Sequence, residues 1–375
     1  MKEKKRKYYI DNLRILLTCL VVLHHLAITY GAPGLWYYNE GNSDLISSIL
    51  MALFVATNQA FFMGMFFMIS AYFLDKSWNR KSKKEVIKDK LKRLGIPLIF
   101  YALTISPLII FLTTKFNEGK VMSILEFFKT ENWLTFGPLW FIAALLIFTA
   151  IAITLRTKDR TIRASKSDIQ TPNKSNILLF AISIGIISFV VRIWFPVGWS
   201  LKPFGFQLAH FPQYIALFYI GIIASKNDWF EQFTYQQGLN WMKLVSIFVF
   251  VLFPFVFYFG GAVENGTEPF MGGLGWQSFL FCIWEQIVGI GFIVGLIGIF
   301  KEKYNEQSDR LKSASASAYT VYIIHALLLV SISLLFKNIE IGSTIKFLIL
   351  APIALLICFT ISNFIRKLPY FRKVL

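Results

Sequence analysis

Apolar residues come in long runs along this chain, and polar residues gather in short stretches between them. A run of about 20 apolar residues is what an α-helix needs to cross a bilayer. Ten such runs stand out, over residues 10–30, 51–74, 94–114, 138–155, 176–195, 206–224, 240–260, 276–300, 314–336 and 345–365. The pattern predicts an all-α fold, a polytopic transmembrane bundle of about ten membrane-spanning helices. In the second run Asn58, Gln59 and Ser70 interrupt the apolar sequence, so its first turns are expected at an interface. The longest connections run to about 20 residues, too short to bury a core of their own. Residues 1–375 are therefore read as a single transmembrane domain with no fused soluble domain. The first run is longer than a signal-peptide core and has no small-residue cleavage site after it, which makes it a retained helix.

Composition agrees. Hydrophobic residues make up 56% of the 375 positions and charged residues only 16%, too few to coat a soluble protein of this size. The net charge of +17 would suggest a nucleic-acid partner on a soluble domain, but its distribution argues for topology instead. The chain opens with MKEKKRK; residues 75–93 hold nine Lys and Arg, and further basic groups fall in 156–175, 301–312 and the tail. The alternate connections differ: 31–50 and 261–275 contain no Lys or Arg, and 115–137 balances three Lys against three Glu. Basic connections face the cytoplasm, so both termini are expected there. The stretch 156–175, rich in Ser, Thr and Lys, reads as a flexible cytoplasmic linker. Cys19, Cys282 and Cys358 all lie inside apolar runs and read as packing residues, with no disulfide framework or metal spacing.

Ionisable side chains inside apolar runs are costly and mark function by default. The first run, YIDNLRILLTCLVVLHHLAITY over residues 9–30, carries Arg14, His24 and His25. Eleven residues at about 100° each bring His25 back to within about 20° of Arg14, roughly 16 Å further along the axis. His24 lies about 80° round from Arg14 and aligns less well. Arg192, His210, Glu285 and His325 complete the ionisable set, with Asn58, Gln59, Gln207, Gln213 and Gln286 as hydrogen-bonding neighbours. Together they should line an interior cavity, with Glu285 and Arg192 as counter-charges. Imidazole titrates near neutrality, so His25 can act as a general base on a hydroxyl; the bland alternative is a buried histidine bonded to a neighbouring helix. The same alternative applies to His325, and His210 just before Pro212 suggests a kink near the outer interface. Glu285, beside Trp284, and Trp140 also suit an interface position. The dense basic segment ending in Lys92 and Arg93 is first a topology anchor, and its charge also suits a polyanion such as nucleotide phosphates. Phosphate-loop, nucleophile-elbow, zinc and dinucleotide motifs are all missing from the sequence.

On these residues the chain resembles the integral-membrane acyltransferase family 3, the group with bacterial O-antigen acetylases and glucan succinylases. The likeness begins in the first run, where DNLR ends at Arg14, ten residues follow, and His25 closes the motif. FFMGMFFMISAYFL, KRLGIPLIFY, GPLWFIAALL and SAYTVYIIHALLL are similar to four further family segments and follow in the same order. Departures are Ala71 for a glycine after Ser70, Lys92 and Arg93 where a fuller arginine set is common, and Gly137-Pro138 for the histidine before Leu139-Trp140. The resemblance implies transfer of an acyl group from cytoplasmic acyl-CoA, acetyl-CoA first among them, to a hydroxyl of an extracytoplasmic or lipid-linked carbohydrate in the bacterial plasma membrane. It also implies His25 as base and Arg14 as a donor contact, with Arg93, Lys92, Ser70, Trp140, Glu285 and His325 around the substrates and no metal. A transporter using buried Arg, His and Glu as a relay is the competing reading, weakened by the lack of visible repeats. A structural or sensory membrane protein would leave the buried charges without purpose.

Overall fold

The computed structural model describes residues 6–41, 43–78, 80–119, 124–129, 133–158, 169–369 and 371–373. The described chain is helical, with no strand and one isolated bridge between Leu201 and Phe206. Ten stretches are long and apolar enough to span a membrane: Tyr8–Thr29, Leu45–Trp78, Lys83–Phe116, Gly137–Leu155, Lys174–Arg192, Leu208–Lys226, Tyr235–Phe259, Trp276–Lys303, Asp309–Leu335 and Ser343–Ile365. Each coincides with one predicted run.

Three local differences have physical causes. The second span is two helices, Leu45–Gln59 and Phe62–Trp78, which meet at Ala60 and Phe61. The carbonyl of Ala60 accepts from Gln213 Nε2 at 2.7 Å, so the break leaves no stranded acceptor there. Gly289 of the eighth span fits against the same carbonyl, and a Cβ at that position would lie 2.0 Å from the oxygen. The third span starts earlier than expected because much of the basic stretch 75–93 is helix, not loop. Lys and Glu are good helix formers, and Ser82 with Glu85 closes a capping box at its start. Pro212 does not kink a helix; it sits in the first turn of one, after a 3₁₀ turn over Leu208–His210, where its missing N–H costs nothing. Half of the predicted linker 156–175, residues 159–168, lies outside the described residues, as do the first five residues of the basic N-terminal stretch.

Proline shapes the third span in another way. The N–H missing at Pro97 frees the carbonyl of Arg93, four residues earlier, and the backbone widens into a π turn over Leu91–Gly95. Tyr319 of the ninth span donates its hydroxyl to that carbonyl at 2.6 Å. The freed group thus becomes a tie between helices.

The eighth span is innermost, with 78% of its apolar window buried, while the seventh, at 17%, lies on the outside. The first span packs against both the eighth and the ninth. Ten crossings bring the first and last spans to the same end of the bundle, called here the basic end. There Asn12 donates to the carbonyls of Tyr304 and Glu306 at 2.7 and 3.0 Å, and Arg366 reaches Ser317 at 3.0 Å. At the far end Lys346 pairs with Glu40 at 2.7 Å.

Candidate active site

Two chambers penetrate the bundle, one from each end. The far chamber, about 580 Å³, is lined by His25, Trp36, Tyr37, Gln59, Trp140, His210, Tyr214, Glu285 and Tyr322, among others. The basic chamber, about 740 Å³, holds Arg14, Ser70, Lys90, Arg93, Phe141, Tyr319 and Tyr322 on its wall. Arg14 and His25 share one face of the first span, as helical phase predicted, yet they open into different chambers.

In the far chamber, bonding rules fix the tautomer of His25. His325 Nδ1 lies 2.7 Å from the carbonyl oxygen of Tyr322, and a carbonyl can only accept, so this nitrogen carries the proton. In neutral His325 the other nitrogen, Nε2, is then bare. It lies 3.2 Å from His25 Nδ1, which must donate to it. His25 is left with a bare Nε2, the form a general base requires. The Trp36 ring lies flat on His25, with centroids 4.0 Å apart and planes 15° apart, and sets the plane of the imidazole. His24, next along the helix, also lines this chamber but has other partners: it is buried on Phe62 and lies 3.3 Å from the Asn58 amide.

A second polar group closes the far chamber. Arg192 is wholly buried and donates to Glu285, which is 2% exposed. His210 Nδ1 lies 3.2 Å from the other Glu285 oxygen, and Gln286 reaches the carboxylate at 3.3 Å. The counter-charge pairing expected for Arg192 and Glu285 is what the structure contains. Trp140 stacks on Tyr214 at 5.6 Å, and Tyr214 receives a hydrogen bond from Gln59 at 2.9 Å. Gly137, with φ of +44°, lets the chain turn tightly beside Tyr37; a Cβ there would stand 2.0 Å from the Tyr37 hydroxyl. That hydroxyl lies 3.1 Å from Tyr101 and 3.4 Å from Ser106, so the space a side chain at 137 would need is taken by bonded hydroxyls.

The basic chamber is electrostatic. Arg6, Lys7, Arg14, Lys76, Arg80, Lys81, Lys90 and Arg93 line it against Asp11, Asp89 and Asp228. Arg14 Nη1 is 3.7 Å from Asp11, a loose pair that leaves much of the guanidinium facing the chamber. Beside the mouth, burial alone would raise the Glu231 carboxyl, but hydrogen bonds from Lys7 and from Tyr9, the latter at 2.7 Å, hold it below the usual carboxylate range. Of the residues singled out from sequence, Arg14, Ser70 and Arg93 meet in this chamber, while His25, Trp140 and Glu285 meet in the other. His325 is buried behind His25. Lys92 joins neither wall: it is exposed, and Lys90, two residues away and so on the other side of the helix, takes the inward position. Trp36, Tyr322 and Tyr37 went unnoticed because aromatic residues near membrane boundaries are ordinary. Only the i, i+3 spacing of Tyr322 and His325 hinted at a shared face.

A bundle with ten helices long and apolar enough to cross a bilayer, enclosing a bare imidazole nitrogen and a separate cationic chamber, defines a multi-pass membrane protein. The acyltransferase domain family matches the chain over residues 7–363, and the chain belongs to that family. It is similar to the glucans biosynthesis protein C of Salmonella typhimurium (strain LT2), with 23% identity over 85% of this chain and 81% of that protein. The protein of the same name from Escherichia coli K12 is 25% identical over 59% of this chain and 58% of its own length. No solved structure matches. The protein is a membrane acyltransferase.

Proposed function

We propose that this enzyme moves an acyl group, acetyl first and succinyl second, from acyl-CoA in the cytoplasm to a carbohydrate hydroxyl on the other side of the membrane. The basic end then faces the cytoplasm, with both termini, as the positive-inside rule requires. The surplus of cations in the basic chamber suits the phosphates of coenzyme A, and Arg14, deep on its wall, sits nearest the reacting end of such a donor. The far chamber suits a sugar: Trp140 and Tyr214 offer ring faces, and Glu285, His210 and Gln207 offer hydrogen bonds to hydroxyls. The relatives named for glucan biosynthesis make a glucan of a bacterial plasma membrane the first acceptor to try.

The observation that carries this reading is the bare Nε2 of His25, held in that state by His325, on a residue that lines the far chamber. In the transfer, His25 Nε2 takes the proton of the acceptor hydroxyl as its oxygen attacks the thioester carbonyl. The carbon–sulfur bond breaks, the thiolate leaves into the basic chamber, and the proton is returned to it. Ester and free coenzyme A result. His325 stays in place and keeps His25 in the productive tautomer.

The test uses the protein reconstituted in lipid, with acetyl-CoA and a soluble glucan, and follows free thiol. General base catalysis typically contributes about 10²- to 10⁴-fold, so His25→Gln should lose activity on that scale while folding normally. Thiol release by His25→Gln at the wild-type rate would overturn the assignment.

A further inference from the structure

The acyl group has to pass from the chamber that suits the donor to the chamber that holds His25, and a wall stands between them. Among the described residues, Tyr322 is the one side chain that lines both. Its ring is almost fully buried and meets Phe141, on the basic side, edge-on at 5.9 Å. Its hydroxyl donates to the carbonyl of Pro138, a residue of the far chamber's wall. Its own carbonyl holds His325 Nδ1, so the wall and the partner of His25 are parts of one helical turn. The basic chamber's wall includes apolar residues, Phe66, Phe141, Ile142, Leu145 and Ala318, of which Phe141 touches the ring.

We propose that Tyr322 is the septum across which the acyl group is delivered, and that its ring limits the acyl chain to a short one. The inference rests on the acyl-transfer reading given above. With the phosphates held in the basic chamber, the thioester carbon must arrive at this ring to come within reach of an oxygen activated by His25. The hydroxyl-to-Pro138 bond keeps the septum shut otherwise, so that water in the far chamber does not take the place of the acceptor. Were it to do so, the same bonds would break and the products would be free acid and free coenzyme A. A short acyl group fits beside the ring, whereas each added methylene must displace it.

Two variants divide the roles. Tyr322→Leu removes ring and hydroxyl but keeps apolar volume; Tyr322→Phe removes the hydroxyl alone. Each is purified, checked for thermal unfolding in detergent, reconstituted, and given acetyl-, butyryl- or octanoyl-CoA with and without glucan, while thiol and ester are followed together. One methylene in a fitted pocket is worth about 10- to 200-fold in selectivity, so Tyr322→Leu should raise the butyryl-to-acetyl rate ratio at least about tenfold. Tyr322→Phe should keep the wild-type length profile and raise acceptor-independent thiol release about three- to tenfold, the range of one hydrogen bond. A folded Tyr322→Leu with the wild-type length profile and wild-type coupling overturns the septum. If the leucine variant fails to fold, unchanged acceptor-independent release by the phenylalanine variant overturns it equally. A wild type that consumes none of the three thioesters, and no succinyl-CoA given in a parallel assay, overturns acyl transfer itself, a result distinct from active variants that match the wild type.

Discussion

The two chambers are of similar size but are built on opposite principles. Eight Lys and Arg side chains line the basic one against three carboxylates, and half of the eight are exposed to solvent. In the far chamber Glu285 is the only Asp, Glu, Lys or Arg among the described lining residues, and its charge is met by the buried Arg192. Its polar atoms are fixed one by one: His25 by His325 and Trp36, Tyr214 by Gln59, Tyr37 by Tyr101. A field summed over many screened cations changes little when one is lost. A chain of single, mutually bonded groups has no spare. The first arrangement suits holding a highly charged ligand in many poses, the second suits a reaction that needs one geometry.

The widest separation between the two is expected at Arg192. Removing one member of a buried ion pair leaves the other charge uncompensated, at a typical cost of about 3–5 kcal/mol. Arg192→Met should therefore lower the thermal midpoint in detergent by several degrees or prevent folding outright. Arg192→Met combined with Glu285→Gln should recover part of the loss, because no bare carboxylate remains. An Arg192→Met protein that unfolds with the wild type would mean the far chamber tolerates loss as well as the basic one.

Much of this is legible in the sequence. Helix number followed from run length, because the bilayer fixes how many apolar residues a crossing needs. Arg14 and His25 followed from helical phase, and Arg192 with Glu285 from the cost of leaving either charge alone. What escaped was set by contacts between distant segments. His325 meets His25 across 300 positions of sequence, and Trp36 reaches it from a connection that contains no Lys or Arg. Lys90 against Lys92 turned on local phase within a helix widened by a π turn, which a run of nine basic residues conceals. That Arg14 and His25 open into separate chambers depends on Tyr322, and one helix face cannot reveal a wall built by another helix.

In the basic chamber single losses should be mild and should follow helix phase. Lys90→Ala or Arg93→Ala should raise the apparent KM for acetyl-CoA about two- to fivefold with kcat nearly unchanged, as for one partly screened contact of about 0.5–1 kcal/mol. Lys92→Ala, on the outward side, should match the wild type, and added salt should narrow all the differences. An effect at Lys92 larger than at Lys90 would place the donor elsewhere.

The smallest effect is expected at Glu231, near the mouth of the basic chamber. Its carboxylate is bonded to Lys7 and Tyr9, and its side chain is 42% exposed, so screening keeps the pair within about 1 kcal/mol. The folded group titrates below its ordinary 4.5. A depressed carboxyl stabilises the fold fully above the ordinary value and loses that contribution as pH falls through the lowered one. Glu231→Gln resembles the protonated form, so the wild type should unfold slightly later than the variant at pH 7, and the gap should close as pH drops below about 4. The Lys7 ammonium, held above the ordinary lysine value, keeps its charge throughout that range and adds no slope. Thermal unfolding of both proteins across pH 7 to pH 3 reads the gap directly. A gap that widens toward acid would have the wrong sign for a depressed carboxyl, and one of several kilocalories would make this exposed pair behave like the buried pair of the far chamber.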